Sequence, residues 1–247
     1  MFRSIISVLI ALLFVASCNE AQLQTAMNTS VGLLQAQALS ESQVIQKASL
    51  ASTELDSKSK IARSDSNYTR RLNRLINGLT SYEGLSLNYK VYMADSVNAF
   101  AMADGTIRVH SALMDIMPDD QVLAVIAHEV GHVKLKHSYK QMRKAILTNT
   151  AFQAAASADG TFGELTRSQL GQLAYTAVNA HFSQKDELSS DRFAVKMLKS
   201  MGRDPYAMKR SIETLQSKEQ SHPVSFLSSH PSNSKRLENI DNAIKGK

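Results

Sequence analysis

The chain has 247 residues, 43% of them hydrophobic and 20% charged, which is enough apolar material for one or two folded domains and excludes a chain disordered throughout. Trp is absent and aromatics make up only 6%, so no base-stacking platform is present and a nucleic-acid partner is not expected. The net charge of +6 is spread over basic residues with carboxylates between them, the pattern of solvated helix faces, with at most a weak pull toward anionic surfaces.

Arg3 precedes an almost wholly apolar run at residues 5–15, about the length of a signal-peptide core and too short to span a bilayer. Val15-Ala16-Ser17-Cys18 then resembles a bacterial lipobox. On that reading residues 1–17 are a lipoprotein signal peptide and Cys18, the only cysteine, carries the lipid. The other reading is a plain signal peptide followed by an incidental cysteine. A lone Cys excludes an intrachain disulfide. Asn19, where retained lipoproteins carry Asp, points to the outer membrane with the protein facing the periplasm. Residues 18–39 are rich in Gln, Ser, Thr and Ala and read as a tether, leaving residues 40–247 as the folded part.

Ser40-Glu41-Ser42-Gln43 fits a capping box that opens a helix running to about Asp56. Ser66 caps a second helix with an apolar stripe at Leu72, Leu75, Ile76 and Leu79. The period then drops to two. Residues 85–93 read as one half-buried strand, 98–103 as a second and 106–109 as a third, with Asp104-Gly105 as the hairpin turn between the last two. Beyond this the pattern is helical: a helix from Pro118, one from about Thr166 to Ser200 that stops at Gly202, one opened by Asp204-Pro205 and a last opened by Pro231. The expected fold is α+β, a mostly helical domain with a small antiparallel sheet beside the helix of residues 118–132. The Ala-rich run 146–158 is too short and too polar to cross a membrane and reads as a helix packed over the site.

The chemistry lies in His128-Glu129-Val130-Gly131-His132. On a helix, two histidines four residues apart project from one face, one turn apart, and can share one ion. Zn2+ takes imidazole and carboxylate ligands and keeps a position open for water in catalytic sites. Glu129, beside His128, is placed to take a proton from that water. The buried-looking residues Val122, Leu123, Val125 and Ile126 put the helix in the core; the alternative is a helix with two satisfied core histidines. Leu135 and Ser138 exclude the motif that supplies a third His on the same helix. His137 lies about 140° around a continuous helix from His132 and reads as structural, as does His110 after its strand, while His181 and His222 default to the surface. Glu187 and Asp191, one turn apart, are candidates for a third ligand and its partner, although spacing alone favours a solvated helix face.

Residues 85–240 resemble the gluzincin family of metallopeptidases, the group that contains the CAAX prenyl protease and HtpX. The resemblance rests on Asn98-Ala99-Phe100-Ala101 with Asp104-Gly105-Thr106-Ile107-Arg108-Val109, on His128 to His132, on Glu187-x-x-x-Asp191, and on His230-Pro231 with Arg236. It implies one zinc held by His128, His132 and Glu187, Glu129 as general base, and His230 near the metal, stabilising the oxyanion or ligating in a resting state. It further implies Asp191 and Arg236 as partners behind the ligands. The strand of Asn98, Ala99 and Phe100 would take an extended substrate peptide along an exposed edge, with core packing of Phe100 as the alternative. The family's middle acid is replaced here by Ser189. The implied activity is a zinc endopeptidase acting on unfolded or misassembled envelope proteins, with periplasmic or outer-membrane partners. The rival is a client-binding assembly factor with secondary proteolysis.

Overall fold

The computed structural model describes residues 39–148, 165–219 and 224–247. Cys18, the tether, His222 and all but the first three residues of the Ala-rich run 146–158 lie outside them.

Helix α1, Glu41–Lys58, starts where its capping box directs: Gln43 N–H donates to Ser40 Oγ and Ser40 N–H to the Gln43 side chain. Ser66 likewise caps α2, Asn67–Leu75, by accepting from Thr69 N–H. The expected single strand at 85–93 is divided. β1, Ser81–Tyr82, pairs antiparallel with β2, Leu85–Ser86, through a turn in which Glu83 and Gly84 both have positive φ, 45° and 83°, the backbone of a tight hairpin. β3 follows at Asn88–Tyr92, with β4 at Ala99–Ala101 and β5 at Thr106–His110.

These three strands form a sheet in the order β3-β5-β4. The β4–β5 pairing is the expected antiparallel hairpin, but β3 runs parallel to β5, in the register Asn88↔Thr106 to Tyr92↔His110. The sheet is therefore mixed and not antiparallel throughout. The chain between β3 and β4 skips one position and β5 fills it, a choice that alternation along a strand cannot encode. Segment 60–62 shields the outer edge of β3, where Ala62 N–H donates to Val91 O and Met93 N–H to Lys60 O.

The helices follow: α3 at Ser111–Ile116, α4 at Asp119–Lys134, α5 at His137–Thr148, α6 at Arg167–Val178, α7 at Gln184–Ser200, α8 at Tyr206–Glu219, α9 at Ser225–Ser229 and α10 at Ser234–Ile244. The architecture is the expected mostly helical α+β fold. Residues 121–133 of α4 are all buried, as befits a helix enclosed on every side. One sheet face, with Val91, Ala99, Ala101, Ile107 and Val109, joins the core around α4. The opposite face, with Tyr92, Phe100 and Met102, packs in a second apolar cluster with residues of α1, α5 and α6. Arg108, 2% exposed, ties that second layer to the sheet: its Nε and Nη2 donate to Asp56 Oδ1 and Oδ2 of α1, both at 2.9 Å.

Two boundaries differ from expectation. The long helix expected from Thr166 to Ser200 is interrupted at 179–183, because Ser183 and Asp186 form a capping box of their own that starts α7 afresh. Pro231 does not open the last helix. Asn233 caps α10 by accepting from Arg236 N–H, and the short α9 precedes it.

Candidate metal centre

Helices α4 and α7 approach closely at Gly131, where a Cβ would stand 3.2 Å from both Cα and O of Ser190. A side chain there would force the two helices a few tenths of an ångström apart, and the close approach brings Glu187, one turn before Ser190, and Asp191, next to it, opposite the two histidines of α4. His128 Nε2 and His132 Nε2 are 3.0 Å apart. Glu187 Oε2 lies 3.4 Å from the first and Oε1 3.3 Å from the second. From α9's C-terminal end, His230 Nδ1 comes within 3.4 Å of His128 Nε2 and 3.1 Å of Glu187 Oε1. All four side chains are buried.

The donor set fits a zinc ion. Zn–N and Zn–O bonds of about 2.0–2.2 Å in tetrahedral geometry set ligand atoms about 3.3 Å apart, and the observed spacings run from 3.0 to 3.4 Å. Two imidazole nitrogens 3.0 Å apart can share a proton or an ion between them. The electrostatics agree. Burial disfavours a charged His128, yet Asp191 and Glu187 outweigh it and push its pKa up to about 9. Glu187 behaves alike: burial opposes its ionisation, but His230 and the hydrogen bonds of the histidines hold its carboxyl well below the usual range. His132 is driven well below the ordinary imidazole value by burial.

Behind the donors, His128 Nδ1 is 2.9 Å from Asp191 Oδ1. Arg236 grips Asp191 with both prongs, Nε to Oδ2 at 2.8 Å and Nη2 to Oδ1 at 2.6 Å, and its Nη1 lies 2.8 Å from Glu187 Oε2. The same Nη1 donates to His230 O at 3.2 Å. One buried guanidinium therefore holds ligand helix, partner acid and the His230 turn together. Glu129 faces this assembly, with Oε1 3.5 Å from His230 Nε2. Among the described residues neither of its buried oxygens accepts a hydrogen bond, and burial raises its pKa. Such a carboxylate is able to accept a proton from a donor placed beside it.

Asn98, Ala99 and Phe100 are not in this cluster. They are buried, and Phe226 N–H of α9 donates to Val97 O at the start of the strand. Phe100 packs on Tyr92 and His110, 6.1 Å and 6.3 Å between ring centres for Tyr92–Phe100 and Phe100–His110, so its side chain is core. The edge is covered in this conformation, contrary to the exposed edge expected. His110 hydrogen-bonds with Ser96 at 2.9 Å, a structural role, and His181 is exposed. Sequence reasoning gave no role to Phe182, whose ring lies 3.8 Å from that of His132 and 5.2 Å from that of His230. The Ser183-x-x-Asp186 cap was the one signal that could have placed it just before a helix. Sequence reasoning also left Phe226 without a role; it stacks on His230 at 4.4 Å.

A zinc-type donor set with a free carboxylate beside it, on a mostly helical α+β scaffold, defines a metallopeptidase. Residues 66–244 match Peptidase family M48, and the chain belongs to that family. It is similar to Metalloprotease LoiP of Escherichia coli (strain K12), 42% identical over 224 residues that cover 90% of this chain and 89% of the relative. It is also similar to Metalloprotease YcaL of the same organism, 36% identical over 220 residues covering 89% and 87%. The Beta-barrel assembly-enhancing protease of that organism is 34% identical over 161 residues, which cover 60% of this chain and 32% of the relative.

Proposed function

We propose that this metallopeptidase is a zinc endopeptidase of the bacterial cell envelope, lipid-anchored through Cys18 in the outer membrane, that cuts unfolded or misassembled envelope proteins. The observation that carries the reaction is the convergence of His128, His132 and Glu187 beside an unpartnered Glu129. Those three residues would hold the ion, which would supply a Lewis acid and lower the pKa of water toward about 7.

Glu129 accepts a proton from the attacking water and returns it to the leaving amine as the peptide C–N bond breaks. His230 stands with the other three donors in this conformation; turned away from them, its N–H would donate to the oxyanion of the tetrahedral intermediate. Asp191 fixes the ring of His128, and Arg236 fixes Asp191. Because the donors are buried, a polypeptide reaches them only after whatever covers them moves, and Phe182 is the ring lying on His132. An extended peptide on the β4 edge remains the substrate geometry we favour, and it requires the same opening. The envelope role is supported by the lipobox reading and by the name of the assembly-enhancing relative, which describes that protein's own work.

The test compares cleavage of casein and of an unfolded porin by wild type and Glu129→Gln, with and without chelator. Wild type should bind one zinc and lose activity on chelation. The variant should bind zinc equally and cut about 10² to 10⁴ times more slowly. Equal rates in both proteins would remove the mechanism and leave a binding role. Cys18→Ala should release the protein from membranes; unchanged fractionation rules out that anchor.

A further inference from the structure

Helix α4 ends at Lys134, and Lys136 turns the chain with φ 59° so that α5 begins at His137. The break swings His137 back toward the site, buried, with its Nδ1 3.2 Å from Nδ1 of His132. That is the nitrogen of His132 facing away from the donor cluster. His132 offers its Nε2 lone pair inward, so as a neutral imidazole it carries its proton on Nδ1. His137 Nδ1 is then the acceptor, and His137 carries its own proton on Nε2. Ser189 Oγ is in hydrogen-bonding position to that N–H at 3.4 Å, and the Asp186 carboxylate lies beside it, Oδ1 3.3 Å from Nε2. The Ser189 hydroxyl donates its own proton to Lys185 O or Asp186 O, which leaves its lone pairs for the histidine. Ser190 Oγ, 3.3 Å from His137 Nδ1, adds a second donor to the acceptor nitrogen. Asp186 is already the capping residue of α7, and it uses its other oxygen, Oδ2, for Ser183.

We infer that His137 is a positioning residue for the metal ligand His132, itself oriented by Asp186, in a chain His132–His137–Asp186 parallel to His128–Asp191–Arg236. The two imidazoles thus have unlike support. His128 leans on an ionised carboxylate, whereas His132 leans on a neutral ring with a carboxylate one step further out. The function of the relay is to hold His132 in the tautomer and ring plane that present Nε2 to the ion. The inference rests on the zinc reading above.

Zinc affinity is measured by competition with a chromophoric chelator, with melting of the zinc-free protein recorded alongside. His137→Leu keeps the volume and removes the acceptor; it should bind zinc about 10 to 100 times more weakly. His137→Asn places an oxygen where Nδ1 lies and should recover most of that loss. Asp186→Asn still caps α7 but turns a donor or a neutral oxygen toward His137, and should fall between Leu and wild type. Leu binding as tightly as wild type overturns the inference, as does Asn binding as weakly as Leu when all the variants fold. If the Leu variant does not fold, Asp186→Asn decides, and wild-type affinity there overturns the relay. A wild-type protein that binds no zinc refutes the proposed function instead, so the two failures are distinguishable.

Discussion

Replacing Arg236 tests whether the site is held together from behind. Arg236 is fully buried and lies within 2.8 Å of carboxylate oxygens on two residues, Asp191 and Glu187, which are buried as well. In Arg236→Met the stem volume is kept and the guanidinium is lost. Removing one partner of a buried ion pair costs about 3–5 kcal/mol, because the charge left behind is neither solvated nor paired. Two carboxylates share this partner, and His230 O loses a donor too, so the upper half of that range is expected. That is a large part of a total stability of about 5–15 kcal/mol. At roughly 2–4 °C per kcal/mol for a domain of this size, melting of the zinc-free protein should fall by about 8–20 °C. Arg236→Lys keeps the charge but not the fork, and should lie between the two. The deficit also has a pH signature. The Asp191 carboxyl has a depressed native pKa, burial being outweighed by Arg236 and His128. A depressed carboxylate stabilises the fold above its unfolded pKa of about 3.9 and loses that contribution as pH falls through the native value. The gap between wild type and Met variant should therefore be full at neutral pH and narrow in acid. Urea denaturation across pH reads both effects. A Met variant within about 1 kcal/mol of wild type at neutral pH would refute the argument.

Gly105 has φ 85°, and a Cβ there would stand 2.0 Å from Ser86 O. Gly105→Ala should cost roughly 1–2 kcal/mol for the left-handed backbone and more for the clash, read by thermal melting; an unchanged melting temperature counts against this hairpin. Ser183→Ala removes the cap of α7 four residues before Glu187 and should cost about 1 kcal/mol, with faster amide exchange confined to the first turn; exchange unchanged there would sink the capping role. Burial alone would raise the Asp56 carboxyl, but Arg108, Lys90 and Tyr92 together lower it below 3.8. Its stabilisation is present above that value and lost as pH falls through the native pKa, so Asp56→Asn should remove up to about 1.4 kcal/mol per pH unit of acid sensitivity. Identical pH slopes below about pH 4 would exclude this contribution.

What the sequence could declare was decided by neighbours in the chain. The capping box at Ser40, the N-cap at Ser66, the Asp104-Gly105 turn and the paired His128 and His132 all have their partners within four residues, so spacing suffices to read them. Glu187, His230 and Arg236 lie on other elements, and their places in the site depend on how α7, α9 and α10 dock against α4. No local pattern contains that information, which is why they were reached only through family resemblance. The parallel pairing of β3 was hidden for the same reason, since both its edges are chosen by distant segments. His137 is the instructive case. Its angle of 140° from His132 assumes an unbroken helix, and a single residue, Lys136 at φ 59°, voids that assumption. A lysine is not a residue that announces a left-handed turn, so the break had no legible signal. The conformation is held instead by what it brings about on either side: Lys136 pairs with Glu41 of α1 at 2.7 Å, and His137 docks between His132 and Asp186. The half-exposed Lys136–Glu41 pair adds little, so the roughly 1–2 kcal/mol that a left-handed lysine costs is offset mainly by the buried docking of His137.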